Sequence, residues 1–291
     1  MKLSTVILPV FPWREGRVVW RRAEELGLHA AYTYDHLTWQ SFRGRPWHGT
    51  VPTLSAAAAV TERIRLGTMV ASPNFRHPVP FAKELMTLDE LSGGRFTLGI
   101  GAGGGGFDAT VLGAQPWSAA ERADRFAEFT RLLDKLLTQS ETTADQGAHY
   151  RAFEAEMLPG STQRPRMPFH VAAIGPRAMR LTAELGQGWI TFGAPQDGPK
   201  LVAGQIERLR EACAERGRDV AELELTLLNM GRGEQERPLA SFEAFVDWAG
   251  RYREAGITEL VLHWPIPDSE FAADPKVFER IAVEGLAHVD G

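Results

Sequence analysis

The chain has a single cysteine, Cys213, among its 291 residues. One thiol closes no internal disulfide, and no Cys/His spacing suited to a metal surrounds it, so neither a disulfide framework nor a metal centre is expected. Cys213 lies in an Arg/Glu-rich helical stretch and reads as a helix residue without chemistry. No apolar run reaches the length of a membrane span. There is no long basic run, and the formal net charge is −5, which leaves nucleic acid without an electrostatic footprint. The first apolar run starts at Leu3, leaving no room for a signal peptide. A soluble, cytoplasmic protein without membrane or nucleic-acid partners is expected. The chain is 44% hydrophobic and 24% charged, too apolar for disorder and long enough for one large α/β domain.

Short apolar runs alternate with amphipathic stretches. Strands are expected at 3–8, 30–34, 64–69, 96–100, 169–173, 188–191, 223–229 and 259–263. Helices are expected at 17–26, 51–61, 79–91, 119–138, 176–185, 199–216, 241–255 and 275–286. Glycine closes several helices, as at Gly27 and Gly256. Strict strand–helix alternation predicts a parallel sheet, and eight units in this length predict a closed (β/α)8 barrel of the TIM type. One α/β domain spans residues 1–291, interrupted by an insertion at about 140–165 before the fifth strand, with a small hairpin around residues 145–148.

In such a barrel, chemistry gathers where strands end. Phe11 and Trp13 follow the first strand; Asp35, His36, Trp39 and Trp47 the second; Asn74, Phe75, Arg76 and His77 the third; His263 and Trp264 the eighth. Aromatic rings with a few polar groups among them suit a planar organic ligand, and Phe11, Trp13, Trp39, Trp47, His263 and Trp264 are read as its pocket. Arg76 and His77 are expected to brace the third helix, and Arg95 with Asp89 to form a turn-and-ion-pair device. The run from Gly99 to Gly106 formally matches G-x-G-x-x-G after a strand. No immediate helix follows it, and the acidic residue of a dinucleotide site is missing. A floor of bare backbone against which a ring system lies fits better. Ile174, Gly175, Pro176 and Arg177 open a helix at the end of the fifth strand, where free amides, the helix dipole and a guanidinium suit a phosphate.

Five segments together carry a family likeness: Tyr34 to Leu37, Ser72 to Pro78, Leu88 to Phe96, Gly99 to Gly103, and Gly175 to Leu181. Through them, and over nearly its whole length, the chain resembles the bacterial luciferase-like oxidoreductases, most closely their deazaflavin (coenzyme F420)-dependent branch. The resemblance implies a barrel with an insertion, a homodimer, and a cofactor lying across the barrel mouth. It implies a bulge with a cis peptide at Met69 and Val70, continuing into Ala71 and Ser72, behind the cofactor ring. The glycine loop maps to Gly101, Ala102, Gly103 and Gly104, the phosphate turn to Ile174, Gly175, Pro176 and Arg177, and Thr191 is placed with these contacts. The family's histidine maps to His36. Relatives commonly carry a Gly-Trp-Asn-x-x-Glu stretch after the fourth strand; here Phe107 and Asp108 stand in that region, and Asp108 is the nearby carboxylate.

The activity implied is hydride transfer between coenzyme F420 and a small, fairly apolar organic substrate. His36 manages the proton, because imidazole titrates near neutral pH, and Asp35 either orients it or serves the barrel rim. The alternative is an FMN-dependent two-component monooxygenase using molecular oxygen. A separate flavin or F420 reductase is the partner that supplies reduced cofactor. A flavin-storing protein without catalysis is a third reading. A phosphosugar barrel enzyme is a fourth, and a poorer one, since the strands lack the catalytic lysine or carboxylates it needs.

Overall fold

Strands that are buried on both faces read as near-continuous apolar runs, and the runs expected above pair in parallel and close on themselves. The structure is a computed structural model that describes residues 1–139, 142–231 and 236–289. The barrel strands are β1 (Lys2–Val6), β2 (Ala30–Thr33), β3 (Arg65–Thr68), β4 (Phe96–Gly101), β7 (Phe169–Ala172), β8 (Gly188–Thr191), β9 (Glu224–Leu228) and β10 (Glu259–His263). They close in the order β1-β10-β9-β8-β7-β4-β3-β2. The seam is β1 on β10, with Lys2 opposite Glu259 and Val6 opposite His263. The outer ring is α1 (Trp13–Glu25), α2 (Thr50–Ala58), α3 (Pro78–Leu91), α4 (Ala119–Thr138), α5 (Pro176–Leu185), α6 (Gly198–Ala214), α7 (Phe242–Glu254) and α8 (Pro275–Val289). The first helix starts four residues before the expected position, directly after Pro12, whose fixed φ of −53° sets the entry.

Side chains alternate between two cores. Leu66, Leu98, Val171 and Leu260 point outward to the helices, where Trp20, Phe129 and Trp248 are buried. Val6, Tyr32, Met69, Ile190 and Val261 fill the barrel. The end of the barrel where the strands begin is polar. There the buried Glu259 carboxylate accepts from Ser4 Oγ at 2.5 Å, Tyr32 O–H at 3.0 Å and Thr226 Oγ1 at 2.7 Å. Burial first, and the neighbouring Glu224 second, push its pKa up to about 7. His29, Glu224 and Glu259 cluster there, but the Lys2 ammonium, 2.9 Å from Glu224, already supplies the positive charge.

The insertion folds as the expected hairpin, β5 (Thr143–Gln146) on β6 (Arg151–Ala155), antiparallel; residues 140–141 lie outside the described residues. Glu128 of α4 anchors it by accepting from the backbone N–H of His149 and Tyr150 at 2.9 and 2.6 Å. Arg95 and Asp89 do fix the α3–β4 connection, but not as an ion pair. Arg95 donates to the carbonyls of Ser92, Thr61 and Ile64, while Asp89 accepts from the backbone and side chain of Gln163.

Candidate active site

A cavity of about 1010 Å³ opens at the carboxyl ends of the strands. Around its rim stand His36 and Trp39 after β2, Val70 and Ser72 after β3, Gly101 to Asp108 after β4, Ile174 to Ala178 at the start of α5, and Phe192 after β8. No described residue of 142–165 lines it.

His36 is held from two sides. Its Nδ1 meets Oδ2 of Asp108 in a short hydrogen bond, and the other Asp108 oxygen accepts from the Leu37 N–H at 2.9 Å. An ionised carboxylate only accepts, so Nδ1 carries the proton and Nε2 is the nitrogen left for a ligand. Asp108 is 4% exposed and sits on one tight helical turn, Phe107–Ala109, that carries the glycine loop back toward β2. The Trp47 indole donates to the His36 carbonyl at 2.7 Å and so fixes the backbone behind it. The Trp39 ring lies 4.7 Å from the imidazole. The Trp39 Nε1–H is buried without a partner among the described residues. A buried, unpaired donor costs roughly 1–3 kcal/mol.

Asp35 does not orient His36. It is 1% exposed and accepts from Arg76 Nε at 2.8 Å and Nη2 at 2.7 Å, while Arg76 also reaches Glu84 of α3. Asp35 thus turns to Arg76 and α3, while His36 lines the cavity. Arg76 thus braces the third helix as expected, and His77 caps it by accepting from the Val79 N–H.

The expected aromatic mouth is dispersed. Only Trp39 of that set lines the cavity. Phe11 and Trp13 line a separate recess of about 290 Å³ together with Trp20, His48 and Pro52. Trp264 packs on Phe278, 5.0 Å between rings, at the foot of α8. His263 is enclosed. Its Nδ1 donates to the Asn229 carbonyl at 3.0 Å, its Nε2 accepts from Tyr34 O–H at 2.8 Å, and Phe271 stacks on it at 3.9 Å. Burial pushes its pKa down to about 3, so the ring is neutral and both nitrogens are occupied.

The residues assigned to the cofactor gather more closely. Val70, Ser72, Gly101, Ala102, Gly103, Gly104, Ile174, Gly175, Pro176 and Arg177 all line the cavity, and the Met69–Val70 peptide is cis. Met69 and Ala71 point into the two cores instead. Thr191 turns outward, its Oγ1 donating to Gln205 of α6 at 2.7 Å; its neighbour Phe192 takes the place at the rim. Arg122, Asn74 and Gln40 also line the cavity. The helical period from the α4 cap at Ser118 was the available signal for Arg122.

The wall suits a flat ring with a phosphate tail. A Cβ on Gly101 would come within 3.0 Å of Val70 Cγ2 and 3.3 Å of the Ala172 Cβ, and one on Gly103, at φ +72°, within 2.7 Å of Asn74 Oδ1. Ser72 Oγ and Asn74 Oδ1 are buried without partners among the described residues, and both residues line the cavity. At the far end α5 begins with Gly175 as cap and Pro176 in the first turn. Arg122 and Arg177 stand beside it, Arg177 paired with Asp124 at 2.7 Å. A helix amino end with two guanidiniums is an anion seat.

Residues 1–256 match the sequence profile of the luciferase-like monooxygenase family. The F420-dependent glucose-6-phosphate dehydrogenase of Beutenbergia cavernae is 35% identical over 217 residues, 70% of this chain and 60% of that protein. The 4-hydroxyprotoasukamycin monooxygenase of Streptomyces nodosus subsp. asukaensis is 32% identical over 230 residues, 76% of this chain and 61% of that protein. The chain therefore spans about three-fifths of the length of these two relatives. The crystal structure of the monooxygenase RslO1 from Streptomyces bottropensis superposes with a TM-score of 0.80 at 22% identity, covering 99% of each chain, which establishes likeness of fold.

Proposed function

We propose that this chain, which belongs to the luciferase-like monooxygenase family, is a coenzyme F420-dependent oxidoreductase that interconverts a hydroxyl and a carbonyl on a small, fairly apolar organic substrate. One observation carries the reading: at the cavity wall an imidazole whose Nε2 makes no hydrogen bond among the described residues lies beside an indole N–H that likewise has no partner among them. Those two groups are what an alcohol oxygen needs, an acceptor for its proton and a donor to its lone pair.

The deazaflavin, when bound, supplies a two-electron hydride carrier. The rest is done by side chains. Trp39 Nε1–H holds the substrate oxygen. His36 Nε2 takes the hydroxyl proton in oxidation and returns it in reduction. Asp108 keeps the Nδ1–H tautomer and stabilises the imidazolium once the proton has arrived. Ser72, Asn74 and the amides of Gly101 to Gly104 hold the cofactor ring, and Arg122, Arg177 and the α5 amino end hold its phosphate. The relatives named F420-dependent dehydrogenases support this choice of cofactor. A homodimer in the cytoplasm, served by a separate reductase, completes the reading.

The second reading, an FMN-dependent monooxygenase, draws on the relative named for that chemistry. Fluorescence titration of the protein with F420 and with FMN separates the two. Tight binding of F420, followed by turnover of an alcohol without oxygen uptake, is expected. Binding of FMN alone, with substrate-dependent oxygen consumption, overturns the F420 assignment.

A further inference from the structure

One segment of the cavity wall is held differently from the rest. After β4 the chain runs from Gly104 to Trp117 with no regular structure beyond the single turn of Phe107–Ala109. Its ends are fixed. Gly103 packs on the Asn74 side chain, which donates to the Gly104 carbonyl at 3.2 Å. The Arg125 guanidinium lies 4.1 Å over the Trp117 ring, and the Trp117 carbonyl accepts from Arg122 at 2.9 Å. Between these ends residues 104–106 and 110–116 are exposed, Leu112 to 70%. Among the described residues, the hydrogen bonds from 105–116 to the rest of the chain are the two that Asp108 makes, to His36 and to the Leu37 N–H. The others close turns within the segment. A third tie is the Arg43 guanidinium, 3.9 Å over the Phe107 ring. All three ties land on the loop after β2.

Segments with few buried contacts and few bonds to the body open at low cost in free energy. The glycines add to this. A Cβ on Gly105 or Gly106 would meet nothing within 4 Å, and neither has a left-handed φ. Close approach and turn geometry therefore do not require glycine at these two positions; what it supplies is backbone freedom. Resting on the assignment of His36 as the base, the geometry points to residues 104–117 as a strap that lifts from the loop after β2 and returns, carrying Asp108 with it. Lifted, the strap widens the mouth between the ends of β2 and β4, and the His36 imidazole loses the acceptor that keeps its proton on Nδ1. Closed, it completes the wall from Gly104 to Asp108 and restores the tautomer in which Nε2 accepts. The site is thus open for ligand exchange or assembled for proton transfer, never both.

Two variants bias the strap in opposite directions and leave Asp108 in place. Arg43→Ala removes the tie over Phe107, a surface cation–π contact that corresponds to roughly a 2- to 5-fold shift toward the lifted state. Gly105→Ala combined with Gly106→Ala introduces no clash and withdraws backbone freedom from the lifted state, a shift of roughly 4- to 30-fold toward the closed one. Hydrogen exchange by mass spectrometry on the cofactor-free protein is the first readout and needs no ligand. The amides of 104–117 should exchange faster in Arg43→Ala than in the wild type, and slower in the double variant. Stopped-flow fluorescence quenching then gives the rates of F420 association and release, which should rise in Arg43→Ala and fall in the double variant by the same factors, while the single-turnover rate of cofactor-loaded Arg43→Ala stays at the wild-type value. Absence of F420 quenching sinks the cofactor reading, whereas the exchange shifts, if found, uphold the strap. Exchange in 104–117 that neither variant moves overturns the strap. F420 rates unmoved by variants that do shift the exchange overturn its role as a gate.

Discussion

Replacing Asp108 by Asn tests the site through proton placement rather than shape. The carboxylate has two oxygens and serves two donors, His36 Nδ1–H and the Leu37 N–H. Asparagine has one acceptor and one donating amide. The Leu37 N–H cannot accept, so the Asn oxygen stays with it and the NH₂ turns to His36. Nδ1 must then accept, which moves the imidazole proton to Nε2 and removes the base from the substrate side. General acid–base catalysis contributes about 10²–10⁴-fold, and the same tautomer swap behind the histidine of a serine protease costs roughly 10⁴ in kcat. Asp108→Asn should therefore lower the rate of hydride transfer by about 10²–10⁴-fold. The assay is single-turnover absorbance of the cofactor with an alcohol, so that slow product release does not mask the chemical step. F420 affinity should be unchanged, because neither bond of Asp108 reaches the cofactor wall. Asp108→Ala leaves both tautomers open and should lose less than Asp108→Asn. A wild-type single-turnover rate in Asp108→Asn, with the fold intact by circular dichroism, refutes the assignment of His36 Nε2 as base.

Trp39→Phe keeps the ring and removes the unpaired N–H; kcat/KM for alcohols should fall by roughly 5- to 160-fold, the range of about 1–3 kcal/mol, while F420 quenching stays the same. An unaltered kcat/KM would mean the indole N–H meets no substrate oxygen. The Glu259 carboxyl, with a folded pKa raised to about 7 against an ordinary 4.5, favours the protonated form in the fold. Its contribution is fully present below about pH 4.5 and is lost as pH rises through 7. Glu259→Gln should thus gain on the wild type by up to about 3 kcal/mol between pH 5 and pH 8 in urea unfolding; a gap independent of pH excludes a neutral buried acid. Glu128→Ala removes the acceptor for the His149 and Tyr150 amides and should cost about 1–3 kcal/mol, read as a lowered Tm and early proteolytic cleavage within the β5–β6 hairpin. Unchanged cleavage there would show that β5 and β6 hold without the anchor.

Eight βα units were legible because each barrel strand is buried on both faces, and an apolar run of four to six residues between amphipathic stretches has few other meanings. The hairpin was legible for a related reason: Asp145 to Gly147 break the pattern where no helix or barrel strand fits. The glycine wall of the cavity was nearly legible, since glycine acts through its own backbone. Met69, Ala71 and Thr191 are not among the lining residues, and each is one residue from a position that does line the cavity. A strand's side chains alternate, so a segment read from sequence includes the wrong parity along with the right one.

The partner of the His36 imidazole was not legible, and the reason is specific. Asp35 precedes His36 in the chain, but its carboxylate turns to Arg76 while the imidazole lines the cavity. The carboxylate that meets the imidazole is 72 positions away. It arrives because Gly103 to Gly106 let the chain after β4 leave the barrel without a helix, and the single turn of Phe107–Ala109 then lays Asp108 against the loop after β2. Arg76 makes the converse exchange: it takes the Asp35 carboxylate 41 positions away and ties it to α3. The two acids thus divide the labour in an order that sequence proximity inverts. Asp35 fixes the loop that carries His36, and Asp108 fixes the proton on His36. Loss of the Asp35–Arg76 pair should therefore displace the whole β2 loop, lowering stability and cofactor binding together, whereas loss of Asp108 should act on the proton alone. Asp35→Asn compared with Asp108→Asn, in unfolding free energy and in single-turnover rate, distinguishes the two roles; equal effects on both measures would show that the acids work as one unit.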